Sequence, residues 1–386
     1  MLIVGIITGL IVLVLLVVVH ELGHAIAARR NGVVVEEFGV GFPPLAWGKK
    51  IKQSILGKNV LYSINWLPLG GFVKLQGEHD SADKKGDYGA ATYWQKTRIL
   101  LAGVLMNWAV AAGIFTVLAL VGLPKVVPNQ FSVPTDTRIS IEALHVAQVT
   151  AGSPADKAGL KIGDELLLVN GREIDTGSKL ADFTGKNQGN TVRITYSRDG
   201  SEHTVKATLR EENKDGKGYL GVGTAQREEI LATWSAPIVG VGTTVQLTGE
   251  TFASLGKVVA SLTQGVASKF SGDARVQADG DKALNFAAGS VSGPVGILGV
   301  IFPQVEQAGF KWLLLLTGVI SLSLAVMNVL PIPALDGGRW FTMTLFRLLK
   351  KPLTKEREEK IQATGFTVLI GLIILVTVAD VIKLFS

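Results

Sequence analysis

Four stretches of the chain contain no charged residue, and each is long enough to cross a bilayer as a helix. They are residues 2–19, 99–123, 312–335 and 361–379. A helix needs roughly 20 mostly apolar residues to span the hydrocarbon core. The pattern therefore predicts four transmembrane helices. The first has no basic segment before it and runs on in helical register, so we expect a retained span, not a cleaved leader.

Two further uncharged runs, 230–249 and 283–305, are diluted by Gly, Ser, Thr, Pro and Gln. We expect both to be interfacial or re-entrant. A six-span chain stays open, because two additional crossings would leave the other spans in the same orientation. Polar residues recur at helical spacing over 230–262, which indicates a helix along the outer face that could gate substrate entry. The sequence pattern of residues 263–285 is typical of an irregular linker.

The basic residues orient these spans. Lys and Arg number 11 in residues 29–98 and 7 in residues 339–360, against 19 in the much longer stretch 124–311. Short loops rich in Lys and Arg stay in the cytoplasm. We therefore expect residues 29–98 and 339–360 to be cytoplasmic, and both termini and residues 124–311 to lie outside. The ends of the first and third spans then meet near the cytoplasmic face.

The composition agrees with a membrane protein, since 47% of the residues are hydrophobic and only 18% are charged. The net charge of +6 comes with basic loops beside the spans, so we expect no nucleic-acid partner. There is no cysteine, which excludes disulfides, thiolate metal ligands and a cysteine nucleophile.

Residues 126–226 have the alternating pattern of a β domain. TVRITYSR and HTVKATLR read as strands joined by an RDGS turn. AGSPADKAGLKIGDELLLVNGREI (151–174) resembles the PDZ signature, with a short helix over 154–158. Such domains bind extended peptides at a sheet edge. No carboxylate-binding loop precedes the first strand, so peptide contact and a steric cap or size filter both stay open.

The motif HELGH ends the first apolar stretch. His20 and His24 are four residues apart, so on a helix both imidazoles share one face and can hold one metal ion. Glu21 lies beside them as a candidate general base. Unpaired ionisable groups at this depth would cost several kcal/mol, and a bound metal removes that cost. The pattern predicts a catalytic zinc site, which needs a third protein ligand and one open position.

Asp336 is the best candidate for the third ligand. It follows NVLPIPAL, where Pro331 and Pro333 interrupt the third apolar stretch and the next two glycines permit tight turns. Irregular backbone at membrane depth is tolerated where it lines a cavity. His79 is the alternative ligand, but its polar loop favours a solvated side chain.

Two other features have candidate roles. The segment 59–75 contains NVLYSINW, which alternates like a strand, followed by LPLGGF. Glycines permit close approach of another backbone, so this edge could pair with an extended substrate; a cover over the site is the alternative. Asn107 is a polar residue within the second span. It could bond a neighbouring helix or orient a metal ligand from the second shell.

These motifs together resemble the bacterial site-2 proteases, which are intramembrane zinc metalloproteases. The resemblance rests on HELGH, one PDZ-like insert, GPVG (293–296) and NVLPIPALDGG, in this order over nearly the whole chain. It implies Zn²⁺ as cofactor, with His20, His24 and Asp336 as ligands and Glu21 as the base. It also implies substrate contacts by Asn328 and by the loop that contains Gly70, Gly71 and Phe72.

The predicted fold class is a polytopic α-helical membrane protein with four transmembrane helices, an inserted extracytoplasmic α+β PDZ-like domain and a membrane-associated β-hairpin or loop. The expected segments are: transmembrane helix 1 with HExxH, 1–28; β-loop region, 29–98; transmembrane helix 2, 99–123; PDZ-like domain, 126–226; linker and interfacial helices, 227–311; transmembrane helix 3 with the LDG motif, 312–338; cytoplasmic loop, 339–360; transmembrane helix 4, 361–383.

The predicted function is intramembrane endoproteolysis of single-span membrane proteins in the bacterial inner membrane. By the resemblance, substrates would be anti-sigma factors or remnant signal peptides. A catalytically silent PDZ-type membrane adaptor is the main alternative. A transporter is less favoured, because the chain lacks internal repeats and a pathway of charged residues.

Overall fold

The computed structural model describes residues 2–141, 143–198, 200–213, 216–226 and 228–385. The chain divides into two compact units. One consists of the residues up to Leu118 together with those from Pro237 onward, and the other runs from Ala119 to Ala236. We refer to them as the membrane unit and the inserted unit.

Helices and strands are mixed as far as Leu231, and after it the described elements are all helical. The described helices are α1 Leu2–Arg30, α2 Tyr93–Val121, α3 Pro154–Lys157, α4 Gly177–Lys186, α5 Ala236–Ser268, α6 Ala274–Ser290, α7 Pro294–Gly296, α8 Phe302–Ala308, α9 Phe310–Val329, α10 Asp336–Leu348 and α11 Lys355–Phe385. A π-helical turn, Ile297–Ile301, joins α7 to α8.

The strands fall into three sheets. They are β1 Val35–Ser54, β2 Gly57–Leu75, β3 Leu123–Pro124, β4 Arg138–Ile141, β5 Leu144–Val149, β6 Glu165–Val169, β7 Arg172–Glu173, β8 Thr191–Arg198, β9 Ser201–Thr208, β10 Val222–Ala225 and β11 Glu228–Leu231.

Four of the described helices are long and apolar enough to cross a membrane: α1, α2, α9 and α11. They cover most of each of the four uncharged stretches of the sequence, so the prediction of four candidate spans is confirmed. The first of them ends in Arg29 and Arg30, and Gly32 follows with φ +81°, a conformation in which glycine commonly terminates a helix.

A fifth apolar segment is bent. Helix α6 and the helical segment Pro294–Ala308 meet at 51°, and only together do they have the length and composition of a span. This geometry is that of a broken span or a re-entrant loop. The bent segment includes residues 283–305, which we expected to be interfacial or re-entrant. The preceding tract 263–285 is largely helical, in the end of α5 and the first part of α6, where we expected an irregular linker.

Strands β1 and β2 form one sheet in which both strands bend back. Residues Glu37 to Val40 pair with β2 on both sides, with Leu61 to Ile64 on one side and with Gly71 to Lys74 on the other. The end of β2 is therefore an edge of the sheet. This edge lies along α1, since glycines 70 and 71 border side chains of that helix.

The inserted unit has a sheet in the order β10-β5-β6-β8-β9, with β7 paired to β6, and a small sheet in the order β3-β11-β4. Its core includes Leu144, Leu166, Ile194 and Tyr196 from the larger sheet. Helix α3 begins at Pro154, with Ser153 as its N-cap. The helix expected over 154–158 and the two strands joined by RDGS are therefore present within an α+β unit.

The third span is shorter than the sequence pattern predicts. Helix α9 ends at Val329, residues 330–335 form an irregular segment, and Asp336 begins α10. The two prolines explain the break, because neither has an N–H to continue the helix. Most of the region expected as a cytoplasmic loop, 339–360, lies in α10 and the start of α11.

Candidate metal centre

Helix α1 carries the two histidines of HELGH on one face. Both side chains are buried, and their Nε2 atoms are 3.1 Å apart. The His24 Nδ1 is 2.8 Å from the backbone oxygen of Ile99 on α2. A carbonyl oxygen only accepts hydrogen bonds, so Nδ1 carries the proton and Nε2 keeps its lone pair facing the site. A metal-binding histidine needs this tautomer.

Asp336 comes to the same place from the far end of the chain. Its Oδ2 lies 3.0 Å from His20 Nε2 and 3.2 Å from His24 Nε2. Gly337 and Gly338 allow Asp336 to approach the histidines, because the start of α10 packs closely against the end of α9. A Cβ at Gly337 would lie 2.5 Å from the Leu330 oxygen, and one at Gly338 would lie 2.7 Å from the Pro333 nitrogen. Larger residues would push the Asp336 segment away.

The donor set fits a zinc ion. Ligands held at 2.0–2.2 Å by a tetrahedral zinc lie about 3.4 Å from one another. The three facing atoms, two imidazole nitrogens and one carboxylate oxygen, are 3.0–3.2 Å apart. Among the residues that the structure describes, this is the one group of three or more His, Asp or Glu side chains that could hold a metal ion.

Two glycines let α1 and α2 cross closely at the histidines. A Cβ at Gly23 would lie 2.5 Å from the oxygen of Ala102. On the opposite helix, a Cβ at Gly103 would lie 2.8 Å from His20 Nε2, and closer still to His24 Nε2. The backbone of α2 therefore forms one wall of the site, and the absence of a side chain at Gly103 leaves room for both imidazoles.

Glu21 lies between the histidines and the end of β2. The backbone amide of Val73 lies close to its carboxylate. A Cβ at Gly71 would lie 3.8 Å from Glu21 Cγ and 3.0 Å from the oxygen of Gly39. The loop that contains Gly70, Gly71 and Phe72 thus adjoins the candidate base.

The other sequence candidates lie in different settings. Asn328 is half-buried in the last turn of α9, eight residues before Asp336. Asn107 is fully buried one turn after Gly103, and neither polar atom of its side chain has a hydrogen-bond partner among the described residues. Its backbone oxygen, not its side chain, bonds the neighbouring helix by accepting from Ser321 Oγ. His79 lies 3.7 Å from Glu359 and outside the metal group.

A cavity of about 560 Å³ opens beside Asp336. Its lining is rich in charged and polar side chains: Glu36, Lys74, Glu78, Arg339, Glu358 and Gln362. Water can therefore approach the carboxylate from this side. Arg339 is held there by Glu78, Glu358 and the ring of Tyr88, with Cζ 4.6 Å from the ring centroid.

Sequence reasoning missed Gly103, the Ile99 carbonyl and the polar residues of α11. A small residue inside a span is a general signal of close helix packing, and AGVLMN contains one. No local signal identifies Ile99 or Gln362, because their roles depend on which backbone lies opposite.

Two buried imidazoles on an HExxH helix, a carboxylate from a second helix and a glutamate beside them define a site of the metallopeptidase class. The profile of peptidase family M50 matches residues 8–372. The chain therefore belongs to peptidase family M50, the site-2 proteases. This confirms the family and the peptidase activity that the sequence predicts.

Relatives match over nearly their whole length. A protein of Clostridium perfringens is 31% identical over 367 residues, which cover 95% of both chains. The zinc metalloprotease RasP of Geobacillus kaustophilus is 24% identical, with 99% and 98% covered. The regulator of sigma-W protease RasP of Bacillus subtilis is 24% identical, with 96% of each covered. Their names agree with the predicted zinc cofactor.

Solved structures match only part of the chain. The PDZ domain of an SdrC-like protein from Listeria monocytogenes is 21% identical, covers 22% of this chain and 87% of its own, and has a TM-score of 0.20. A protein of Geobacillus thermodenitrificans is 28% identical, covers 18% and 79%, and has a TM-score of 0.17.

Proposed function

We propose that this membrane peptidase uses one zinc ion, held by His20, His24 and Asp336, to cleave transmembrane segments of single-span proteins. The observation that carries the proposal is that the facing atoms of these three side chains lie 3.0–3.2 Å apart. The helix that carries both histidines has the length and composition of a span. By the resemblance to site-2 proteases, anti-sigma factors and remnant signal peptides are the candidate substrates. The Bacillus relative is named a regulator of sigma-W protease.

Glu21 is the general base. When bound, zinc raises the acidity of water and the electrophilicity of the scissile carbonyl. The Glu21 carboxylate accepts the proton of the attacking water and passes it to the leaving amine. We assign the amide of Val73, which lies close to this carboxylate, to orient it. Asn328, in the last turn of α9, donates its side-chain amide to the substrate backbone.

The edge at the end of β2 receives the substrate. A helical segment must unwind to be cut, and each freed backbone group costs several kcal/mol in lipid unless it is paired again. The residues from Gly70 to Lys74 form a sheet edge next to Glu21. Strand addition at this edge would hold the scissile bond beside the base.

The sheet reaches membrane depth. Gly57, at its hairpin turn, borders Arg29 of α1, whereas Gly70 borders Val17. These α1 residues are 12 positions apart, or about 18 Å along the helix. The bent end of the sheet, beside the apolar run, exposes apolar side chains: Phe42, Leu45, Trp47, Ile64, Trp66 and Leu67. These positions support a hairpin that dips into the lipid on the active-site side.

The orientation follows from the distribution of Lys and Arg. We propose that the metal centre lies toward the cytoplasmic face, and that the inserted unit and both termini lie outside the cytoplasm of a bacterial cell. The inserted unit would contact the substrate ectodomain or a peptide end. Strand β10 is at the edge of its larger sheet and is the strand we assign to such a contact.

The test is cleavage of a single-span substrate by purified protein with a measured zinc content. We expect Glu21→Gln to retain zinc and to lose nearly all activity, because the amide cannot accept the proton. Glu250→Gln, the same change on an exposed residue of α5, is the matched control and should leave activity unchanged. A wild-type protein without zinc, or full activity in Glu21→Gln, would contradict the proposal and favour a silent adaptor.

Strand addition has its own test. Proline at position 71 removes an N–H from the sheet edge without changing the Val73 amide beside Glu21, and we expect cleavage to fall at least about 10-fold while zinc is retained. Ile55→Pro is the control, because Ile55 lies in the exposed hairpin turn at the other end. Unchanged cleavage in this edge variant would refute strand addition.

A further inference from the structure

The segment that precedes Asp336, residues 330–335, has few internal hydrogen bonds. Pro331 and Pro333 have no N–H, and three others donate over short range: Leu330 to Met327 O, Ile332 to Leu330 O, and Leu335 to Ile332 O. Ala334 is the exception. It has φ +79°, a left-handed conformation that costs a residue with a Cβ about 1–2 kcal/mol. The segment therefore needs a stabilising partner elsewhere in the fold.

Helix α11 supplies that partner. The N–H of Ala334 donates to Gln362 Oε1 at 2.7 Å. The donor fixes the orientation of the side-chain amide, since its NH₂ group could not accept this bond. The Gln362 Nε2 is buried and has no hydrogen-bond partner among the described residues. The oxygen of Gln362 is thus the part of the side chain that makes a specific contact.

The same face of α11 also contacts the residues that follow Asp336. Glu358, four residues before Gln362, accepts from Arg339 Nε at 3.2 Å and from the backbone N–H of Asp80 at 2.8 Å. Gly365, three residues after Gln362, lies against Pro333, where a Cβ would be 2.6 Å from the proline oxygen. One face of α11 therefore contacts Ala334, two residues before Asp336, and Arg339, three residues after it.

We propose that Gln362 is a positioning residue for the metal ligand Asp336. This inference rests on the proposed function, in which Asp336 binds zinc. The bond from Ala334 to Gln362 stabilises the left-handed turn, and that turn sets where the Asp336 carboxylate lies relative to the two imidazoles. Loss of the acceptor would let the turn relax and the carboxylate move, while the ligands themselves stay unchanged.

Two substitutions separate positioning from packing. Gln362→Met keeps nearly the same volume but removes the acceptor, whereas Gln362→Glu keeps an acceptor oxygen for the Ala334 N–H. We expect zinc affinity of the purified full chain, measured by competition with a chromophoric chelator, to fall about 10-fold in Gln362→Met. It should stay within about twofold of wild type in Gln362→Glu. A pure packing role predicts zinc affinity near that of wild type in both variants, because both keep the side-chain volume. Thr364→Val, an exposed change on α11, is the control.

A double variant provides an independent readout. Glycine adopts a left-handed conformation without cost, so Ala334→Gly should recover at least about threefold of the zinc affinity lost in Gln362→Met. If Gln362→Met alone does not fold, the double variant carries the test, and its failure to fold and bind zinc would overturn the inference. Wild-type affinity in Gln362→Met would overturn it as well. Absence of zinc binding by the wild type would instead contradict the proposed function.

Discussion

The arrangement of the two histidines requires that position 103 of α2 has no side chain. Gly103 faces both imidazoles, and the substitution Gly103→Ala adds a single methyl group to an otherwise unchanged helix. The new Cβ would lie 2.7 Å from His20 Cε1 and 2.8 Å from His20 Nε2, and closer to His24 Nε2. Ordinary contact begins at 3.4 Å, so the His20 ring must move by at least 3.4 − 2.7 = 0.7 Å.

A displacement of this size is large for a metal site. Catalytic groups must be held to within about 0.5 Å of the productive geometry. The two histidines cannot both retreat, because His24 is fixed by its bond to the Ile99 oxygen. We expect a fall of about 10- to 100-fold in zinc affinity and at least as large a fall in cleavage. Overpacking would also cost about 1–3 kcal/mol of stability.

The assay compares zinc affinity, cleavage and thermal stability for three proteins in the same detergent. Gly113→Ala is the matched control, since Gly113 is on the same helix and a Cβ there meets nothing within 4 Å. It should behave as wild type, or be slightly more stable because alanine favours the helix. Zinc affinity and cleavage of Gly103→Ala within twofold of wild type would refute the proposed close approach of α2 to the histidines.

Three further predictions concern other parts of the chain. Asp336→Asn removes the charge but keeps the shape, and we expect more than a 10-fold loss of zinc affinity; unchanged affinity by chelator competition would mean that Asp336 is not a ligand. Gly365→Ala should lower thermal stability by about 1–3 kcal/mol and weaken zinc binding, because α11 must move away from Pro333; Gly371→Ala, whose Cβ meets nothing within 4 Å, is its control. In the inserted unit, burial raises the pKa of Asp164, but the hydrogen bond and charge of Arg198 outweigh it and hold the pKa below its usual range. This ion pair therefore stabilises the fold at pH values above the ordinary carboxyl pKa of about 4, and the contribution is lost as the pH falls through the lower folded value. Asp164→Asn should thus destabilise the unit by about 2 kcal/mol at pH 7, and the difference from wild type should shrink below pH 4 in thermal melts; a difference independent of pH would contradict this.

The inserted unit was accessible to sequence reasoning because its elements have local signals. The alternation of TVRITYSR has the period of a strand with one buried face, and Ser153-Pro154 has the chemistry of a helix start. The strands and the short helix follow these signals closely. The tract 263–285 was misjudged because charges and glycines within α6 dilute the helical pattern. The close packing of Gly280 against Ser268 on the end of α5 is a tertiary contact.

The sequence by itself determined the chemistry of the site. Four residues of spacing place His20 and His24 on one helix face, and the prolines before Asp336 force a break where a ligand can enter. It also determined the number of candidate spans, because a span needs only length and an absence of charge. These features depend on covalent geometry and on the bilayer, so no tertiary information is required.

The tertiary structure decided which surfaces meet. An apolar span has similar side chains all round, so its sequence does not indicate which face packs against a neighbour. For this reason three features became visible only in the fold: the role of Gly103, the position of the predicted β2 edge beside Glu21, and the hydrogen bond from Ala334 to Gln362. Each depends on a backbone approaching a side chain from far along the chain, and such contacts leave no period in the sequence.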